Sequence, residues 1–147
     1  MTHVRHKIRD AAVAALTGLS QTASRVYPGR TRKLAADHQP TLLVYFSTEQ
    51  SDVNAQGANA ILSRNLRVLV EIATVTADVP DETLDAIAAE IETAMATNGA
   101  LLSITQEVTL VGSTLQVRAE AENHIGSLTL EYRVVYRTRE VAPTASV

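Results

Sequence analysis

The chain has 147 residues, of which 46% are hydrophobic, and a net charge of −3, a composition that fits one globular domain and excludes global disorder. The absence of cysteine excludes a disulfide framework, a thiolate metal site and a cysteine nucleophile. No segment approaches the roughly 18 consecutive apolar residues of a transmembrane helix, and the charged N-terminus lacks the apolar run of a signal peptide, so we expect an intracellular protein without a membrane partner.

The small net charge hides a polarised distribution. Residues 1–33 carry seven basic side chains and one acidic side chain, whereas residues 34–147 carry six basic and fifteen acidic ones. Between residues 71 and 117 there are eight acidic side chains and no basic one. A polarisation of this kind is informative about charged partners and not about the fold.

The first part of the chain is predicted to contain one helix and a connector. Apolar side chains recur at helical spacing over residues 3–18, which indicates an amphipathic helix, and Thr2 is its expected cap. The connector 21–40 is predicted to hold a short extended piece at 25–27 and a turn at Pro28-Gly29.

Two strands separated by a polar loop are predicted next. Residues 41–48, TLLVYFST, form an apolar run of β-formers that is typical of a strand buried on both faces. Residues 49–59, EQSDVNAQGAN, have almost nothing to bury and are predicted to form a mobile loop. Residues 64–75 alternate between apolar and polar side chains, which indicates a half-buried strand.

A second amphipathic helix is predicted within 79–99. Its apolar stripe recurs at helical spacing and consists of Leu84, Ile87, Ala88, Ile91, Ala94 and Met95. Pro80 suits the first turn of the helix, and Asn98-Gly99 suits its end. All charged side chains of this helix are acidic, so the face opposite the stripe presents negative charge.

The last third of the chain is predicted to be a β-meander, with turns at 112–113 and 123–126 between strands at 104–111, 115–121 and 127–139. The expected fold class is therefore α+β: a mostly antiparallel or mixed sheet with two amphipathic helices packed on it. The expected organisation is a single domain, 1–140, followed by a flexible C-terminal tail, 141–147.

The sequence offers little catalytic or metal chemistry. His3, His6 and Asp10 share one helix face, but the neighbouring Arg and Lys side chains would repel a cation, so a solvated helix face is the favoured interpretation. There is no glycine-rich phosphate loop, no G-x-S-x-G elbow and no H-E-x-x-H motif. We therefore predict no catalytic residue, no metal ligand and no cofactor, and a protein that is not an enzyme.

A basic cluster in the connector has two interpretations. It consists of Arg25, Arg30, Arg32 and Lys33 and could contact phosphates, but Tyr27 is the only aromatic residue among these charges and the chain as a whole is acidic, which disfavours nucleic-acid binding. The favoured interpretation is an interface between subunits, in which the cluster meets the acidic helix of a neighbour at Asp81, Asp85 and Glu92. Such a head-to-tail contact closes into a ring or continues as a filament.

In this order and spacing, the elements resemble the tail terminator (tail completion, minor tail) proteins of long-tailed bacteriophages. The resemblance runs from about Val4 to Arg139. It rests on the N-terminal helix followed by RVYPGR, QPTLLVYFSTE, RNLRVLVEIATV, DETLDAIAAEIETAM, VTLVGSTLQV and GSLTLEYRVVYRTRE.

The resemblance implies a structural virion protein located at the head–tail junction. Such proteins form a ring, typically of six subunits, that caps the head-proximal end of the tail tube, ends tube polymerisation and docks the head or neck, while DNA passes through without specific binding. The implied partners are other copies of the chain, the tail tube protein and a head-completion or neck protein. The polar loop is the expected contact with tube or neck, through Glu49, Gln50, Asp52, Asn54, Gln56 and Asn59. A head–tail neck connector and, outside phages, a soluble homodimeric binding module are the alternatives.

Overall fold

The computed structural model describes residues 2–29, 40–57, 59–76, 80–120 and 123–147. Strands make up 54% of these residues and form a six-stranded sheet curled into a half-barrel, with three short helices. The helices are α1 (Val4–Leu16), α2 (Asp81–Thr97) and α3 (Gly99–Ser103). The strands are β1 (Val26–Pro28), β2 (Thr41–Ala55), β3 (Ile61–Thr76), β4 (Glu107–Glu120), β5 (Asn123–Arg139) and β6 (Ala142–Ser146).

The predicted α+β class is wrong, because the fold is mainly β. The strands β2 to β5 are each 14 to 17 residues long, well beyond the usual five or six. They continue through segments where the sequence indicates loops and turns. Backbone hydrogen bonds to a neighbouring strand keep these segments extended. Such bonds form whatever the side chains are, so they produce no periodic pattern of apolar residues in the sequence.

Three individual predictions fail for this reason. The predicted loop 49–59 is strand up to Ala55, paired with β3. The predicted turn at 112–113 lies inside β4, where a register shift between Leu110 and Gly112 absorbs one extra residue. The predicted turn at 123–126 is the beginning of β5. Within 141–147, β6 pairs with the end of β5.

The sheet has the strand order β1-β2-β3-β5-β4, with β6 also paired to β5. The pair β1·β2 is parallel, and the other pairs are antiparallel. β1 therefore borders one end of the sheet and β4 the other. The short extended piece predicted near residues 25–27 corresponds to β1.

The core lies on one face of the sheet, which we call the helix face. Leu42, Val70 and Leu130 are buried on it, whereas the opposite face, here the open face, presents Leu43, Glu71 and Thr129 in register. The predicted stripe of α2 is confirmed, since Leu84, Ile87, Ala88, Ile91 and Met95 are buried and Ala94 packs against the core. The predicted apolar face of β3 is also buried, at Leu66, Val68, Val70 and Ile72.

The beginning of α2 packs against β5 at a glycine. A Cβ added at Gly126 would lie 2.7 Å from Pro80 Cγ and 3.1 Å from Leu84 Cδ1. Pro80 and Leu84 are both buried, so neither can swing away into solvent. Only glycine allows the helix to approach the sheet this closely.

We therefore expect Gly126→Ala to lower the free energy of unfolding by about 1–3 kcal/mol, because α2 must move outward to make room. Urea denaturation followed by circular dichroism measures this change. The matched control is Gly112→Ala in β4, where an added Cβ meets only Glu131 Oε2 at 3.8 Å. Equal costs for the two substitutions would show that the contact with Pro80 does not determine the position of α2.

Candidate assembly surfaces

The candidate metal ligands on α1 have other partners. His3 caps the helix, with its Nδ1 accepting a hydrogen bond from the Arg5 backbone N–H at 3.2 Å, in place of the predicted Thr2 cap. The His6 ring packs edge-on against Phe46, and Asp10 accepts hydrogen bonds from Arg9. Within the described ranges, no three His, Cys, Asp or Glu side chains are grouped so that they could hold a metal ion.

The neutral form of His3 stabilises the fold. Burial, followed by the charges of Arg5 and Arg64, lowers the pKa of His3 below its ordinary value of 6.5. The unfolded chain therefore binds the proton at higher pH than the folded chain does. The stabilisation is fully present above pH 6.5 and is lost as the pH falls from 6.5 through the lower folded pKa.

We expect the free energy of unfolding of the wild type to decline over this pH window more steeply than that of His3→Asn. Asparagine retains a capping oxygen but does not titrate. Urea unfolding between pH 5 and 8 for the two proteins measures the difference. Identical pH profiles would exclude a titrating cap at this position.

The predicted acidic surface lies on α2. Asp81, Asp85 and Glu92 are exposed, on the side of the helix away from its buried stripe. No ion pair between described residues involves these three carboxylates. Because α2 packs on β3, β4 and β5, this acidic surface lies toward the β4 end of the sheet.

The basic cluster of the connector begins at Arg25, next to β1. Its guanidinium donates from Nε to the carbonyl oxygen of Pro40 at 2.8 Å and from Nη2 to that of Gln21 at 2.5 Å. Arg25 thus ties the two ends of the connector together. The other predicted members, Arg30, Arg32 and Lys33, lie outside the described residues.

The predicted contact loop is mostly a strand. Gln50, Asp52 and Asn54 are exposed positions of β2, while Gln56 and Asn59 follow its end. Glu49 differs from all of them, because its side chain is only 11% exposed. Glu49 is therefore largely enclosed by the fold, and its predicted contact with tube or neck stays a prediction.

The carboxylate of Glu49 joins its own strand, β2, to three other elements of the fold. It accepts hydrogen bonds from Arg64 Nη1 at 3.0 Å, from Arg5 Nη1 at 3.3 Å and from the Tyr136 hydroxyl. Arg64 Nε also donates to the hydroxyl of the buried Thr138 at 2.9 Å. Burial and the neighbouring Glu49 raise the pKa of Tyr136. We call Glu49, Arg5, Arg64 and Tyr136 the Glu49 cluster; it fastens α1 to β2, β3 and β5.

One sequence signal could have indicated this cluster. Arg64 and Tyr136 have the same parity as the apolar residues of β3 and β5, so the period of two places both on the helix face. A charged and a phenolic side chain on a buried face need a hydrogen-bonding partner. The sequence does not show which acidic residue supplies it.

The outer strand β4, within the segment predicted as a β-meander, exposes apolar side chains. Leu110, Val111, Leu115 and Val117 are 36–48% exposed. At the beginning of β4, the Glu107 carboxylate accepts hydrogen bonds from Arg133 and Thr109. Both bonds lower the pKa of Glu107, the one from Arg133 more strongly. An exposed apolar strand at a sheet edge is typical of a surface that associates with another chain.

The chain is similar to known proteins over most of its length. A family model described as phage minor tail protein U matches residues 3–136. A chain from the virion of a native gene transfer agent (GTA) particle is 19% identical, with a TM-score of 0.34, and the match covers 90% of this chain and 92% of that chain. No curated protein sequence matches. No helix among the described residues is long and apolar enough to cross a membrane.

Proposed function

The chain belongs to the phage minor tail protein U family, and from this premise we propose that it is the tail terminator of a long-tailed phage. Membership makes it a structural protein of the phage tail and a component of the virion. The observation that carries the proposal is the extent of the family match, residues 3–136, which includes all three helices and nearly all of the long strands.

In the proposed role, six copies form a ring on the head-proximal end of the tail tube. The ring ends tube polymerisation and offers the docking surface for a head-completion or neck protein. DNA passes through the ring without specific binding, because the many carboxylates of the chain repel phosphates. This role needs neither a cofactor nor catalysis, so the proposal describes a protein that is not an enzyme.

The distribution of charge supports a head-to-tail contact. The acidic surface of α2 lies toward the β4 end of the sheet, whereas Arg25, the described member of the basic cluster, lies beside β1 at the other end. Because opposite charges lie at opposite ends of the subunit, each copy attracts the next one in the same head-to-tail direction, as a closed ring requires. We propose that Arg25, Arg30, Arg32 and Lys33 of one copy face Asp81, Asp85 and Glu92 of the next. Gln56 and Asn59, beyond the end of β2, stay candidates for the contact with tube or neck.

We expect the triple substitution Asp81→Lys, Asp85→Lys and Glu92→Lys to weaken assembly about tenfold or more, because attraction becomes repulsion across each interface. Native mass spectrometry over a concentration series measures the effect, with the ring of six 15.8 kDa chains at about 95 kDa. The difference from wild type should shrink as salt is added. Glu140→Lys, at an exposed position outside α2, is the control, and an equal loss with this control would contradict the proposed charged contact.

The decisive experiment for the function mixes the protein with purified tail tubes. Electron microscopy should show a cap on one end of each tube, and capped tubes should no longer elongate when tube protein is added. Binding to filled heads but not to tube ends would favour a neck connector instead. A tight two-fold dimer that leaves tubes unchanged would overturn the proposal in favour of a binding module.

A further inference from the structure

The helix face of β4 carries a row of apolar side chains that nothing in the described part of the chain covers. Leu110, Leu115 and Val117 are 36%, 48% and 45% exposed. All three lie on the helix face, because their partners in the register with β5 belong to that face: Tyr132, Leu128 and Gly126. These partners are buried, so the apolar row of β4 is the uncovered margin of the same face.

The helix α2 runs beside this apolar row. Its beginning meets the sheet at Gly126, where an added Cβ would lie 2.7 Å from Pro80 Cγ. Further along the helix, Glu92 lies near Tyr132, since burial and, after it, the charge of Glu92 raise the pKa of Tyr132 to about 12. Gly126 and Tyr132 are the β5 partners at the two ends of the row. α2 therefore follows the row from one end to the other.

The carboxylates of the acidic surface lie on the flank of α2 that faces β4. On the other flank, Glu90 accepts a hydrogen bond from the backbone N–H of Ser20 at 2.9 Å, so that flank faces the segment after α1, over the β1 end of the sheet. A step of two residues turns a helix by about 200°, which places Glu92 on the opposite flank. Asp81 and Asp85 lie within about 20° of Glu92 around the helix axis.

We call the apolar row and its acidic border the β4 shelf; it consists of Leu110, Leu115, Val117, Asp81, Asp85 and Glu92. A surface with an apolar floor and a wall of one charge fits a segment in which basic side chains stand next to apolar ones. The shelf therefore specifies the chemistry of its partner.

The connector of this chain has that composition. Residues 30–36, RTRKLAA, place three basic side chains directly before a leucine and two alanines. Other stretches that mix bases with apolar residues, α1, β3 and β5, bury their apolar faces in the core of their own copy. Residues 30–36 lie outside the described residues, but the length of the chain keeps Leu34 within about 18 Å of Gly29.

We propose that residues 30–36 of one copy lie on the β4 shelf of the next copy. Leu34 then packs on Leu115 and Val117, while the basic side chains meet the acidic border. This inference rests on the ring proposed above and specifies the apolar part of its interface. Register pairs connect Leu115 through β5, β3 and β2 to Val26 of β1. In a ring whose axis runs along the strands, β1 of one copy therefore stands level with Leu115 of its neighbour.

Photo-cross-linking tests this contact directly. A benzophenone amino acid replaces Val117, and the variant is mixed with an excess of isotope-labelled wild type in the presence of tail tubes, irradiated and digested. Mass spectrometry of the linked peptides should show links to residues 30–36 of the labelled copy. The same probe at Val141, which is 70% exposed and lies outside the shelf, is the control and should not link to that segment.

The outcomes separate the contact from the function. Links to β4 of the labelled copy would show a two-fold contact, and links confined to the probe's own chain would place the connector on its own shelf; either result would overturn the inference. Rings that form without links to residues 30–36 would overturn it as well and leave the terminator function standing. Wild-type protein that forms no ring, alone or on tail tubes, would overturn the terminator function itself.

A double-mutant cycle provides a second test. Leu34→Ser and Leu115→Ser should each weaken assembly about tenfold, and the double variant should lose little more, because either change removes the same apolar contact. The loss should persist at high salt, which screens charges but not apolar burial. Leu102→Ser, at a leucine on α3 that is 41% exposed, is the control, and circular dichroism checks folding. Two single losses that multiply in the double variant would overturn the contact.

Discussion

Replacing Glu49 by alanine is expected to lower the free energy of unfolding by about 3–5 kcal/mol, the range found when one partner of a buried ion pair is removed. The Arg64 side chain, which is 12% exposed, would lose its anion. The hydroxyl of Tyr136, a residue with no exposed surface, would lose its acceptor. Arg5 contributes less, because it is 37% exposed and solvent screens its charge.

Chemical denaturation of Glu49→Ala measures this cost, and two variants test its cause. Glu49→Gln keeps the shape and one acceptor oxygen, so its loss should lie between wild type and alanine. Asp10→Ala removes the carboxylate of an exposed ion pair, in which Arg9 Nη2 lies 3.1 Å from Asp10 Oδ1 and the Asp10 side chain is 60% exposed. This substitution should lower the free energy of unfolding by at most about 1 kcal/mol. If Glu49→Ala cost no more than Asp10→Ala, the Glu49 cluster would not fasten α1 to the sheet.

Replacing Ile91 by alanine is expected to cost about 2–5 kcal/mol. Ile91 lies in the middle of the buried stripe of α2 and has no exposed surface, so its removal leaves a cavity between the helix and the sheet. The same helix carries the acidic surface that we propose for assembly. The substitution therefore tests how firmly the core holds that surface in place.

Urea denaturation measures the change, with Ile91→Val as the graded control at about 0.5–1.5 kcal/mol. Assembly of the alanine variant, measured well below its unfolding midpoint, should change little, because the carboxylates of α2 are retained. A loss of stability for Ile91→Ala no greater than for Ile91→Val would show that α2 relaxes freely on the sheet.

The sequence predicted correctly those elements in which one face is buried. The stripe from Leu84 to Met95 and the alternating face of β3 both appear in the core. In each case burial imposes the period of the local structure on the apolar residues. The basic connector and the acidic helix were visible in the order of charges alone, although their pairing across subunits stays a prediction.

The prediction failed where no face is buried. β2 continues past Ser47 through exposed polar residues, and β4 continues through Gly112 and Ser113. In both places, the strand is held by backbone bonds to a partner that is distant in sequence, so the fold became mainly β where loops and turns were expected. A pattern confined to one segment cannot report such a partner.

The sequence by itself determined the buried faces of α2 and β3, the polarity of charge along the chain, and the family.

The tertiary structure alone determined the role of Glu49 as a buried hydrogen-bond acceptor. A register shift between Phe46 and Glu49 inserts one extra residue into β2, so Glu49 lies opposite Leu66 on the helix face instead of on the open face. The physical reason is the period of two: a single inserted residue exchanges the faces of every side chain that follows it. Only the pairing of β2 with β3 reveals that insertion, and it turns a predicted surface carboxylate into the buried acceptor for Arg64 and Tyr136.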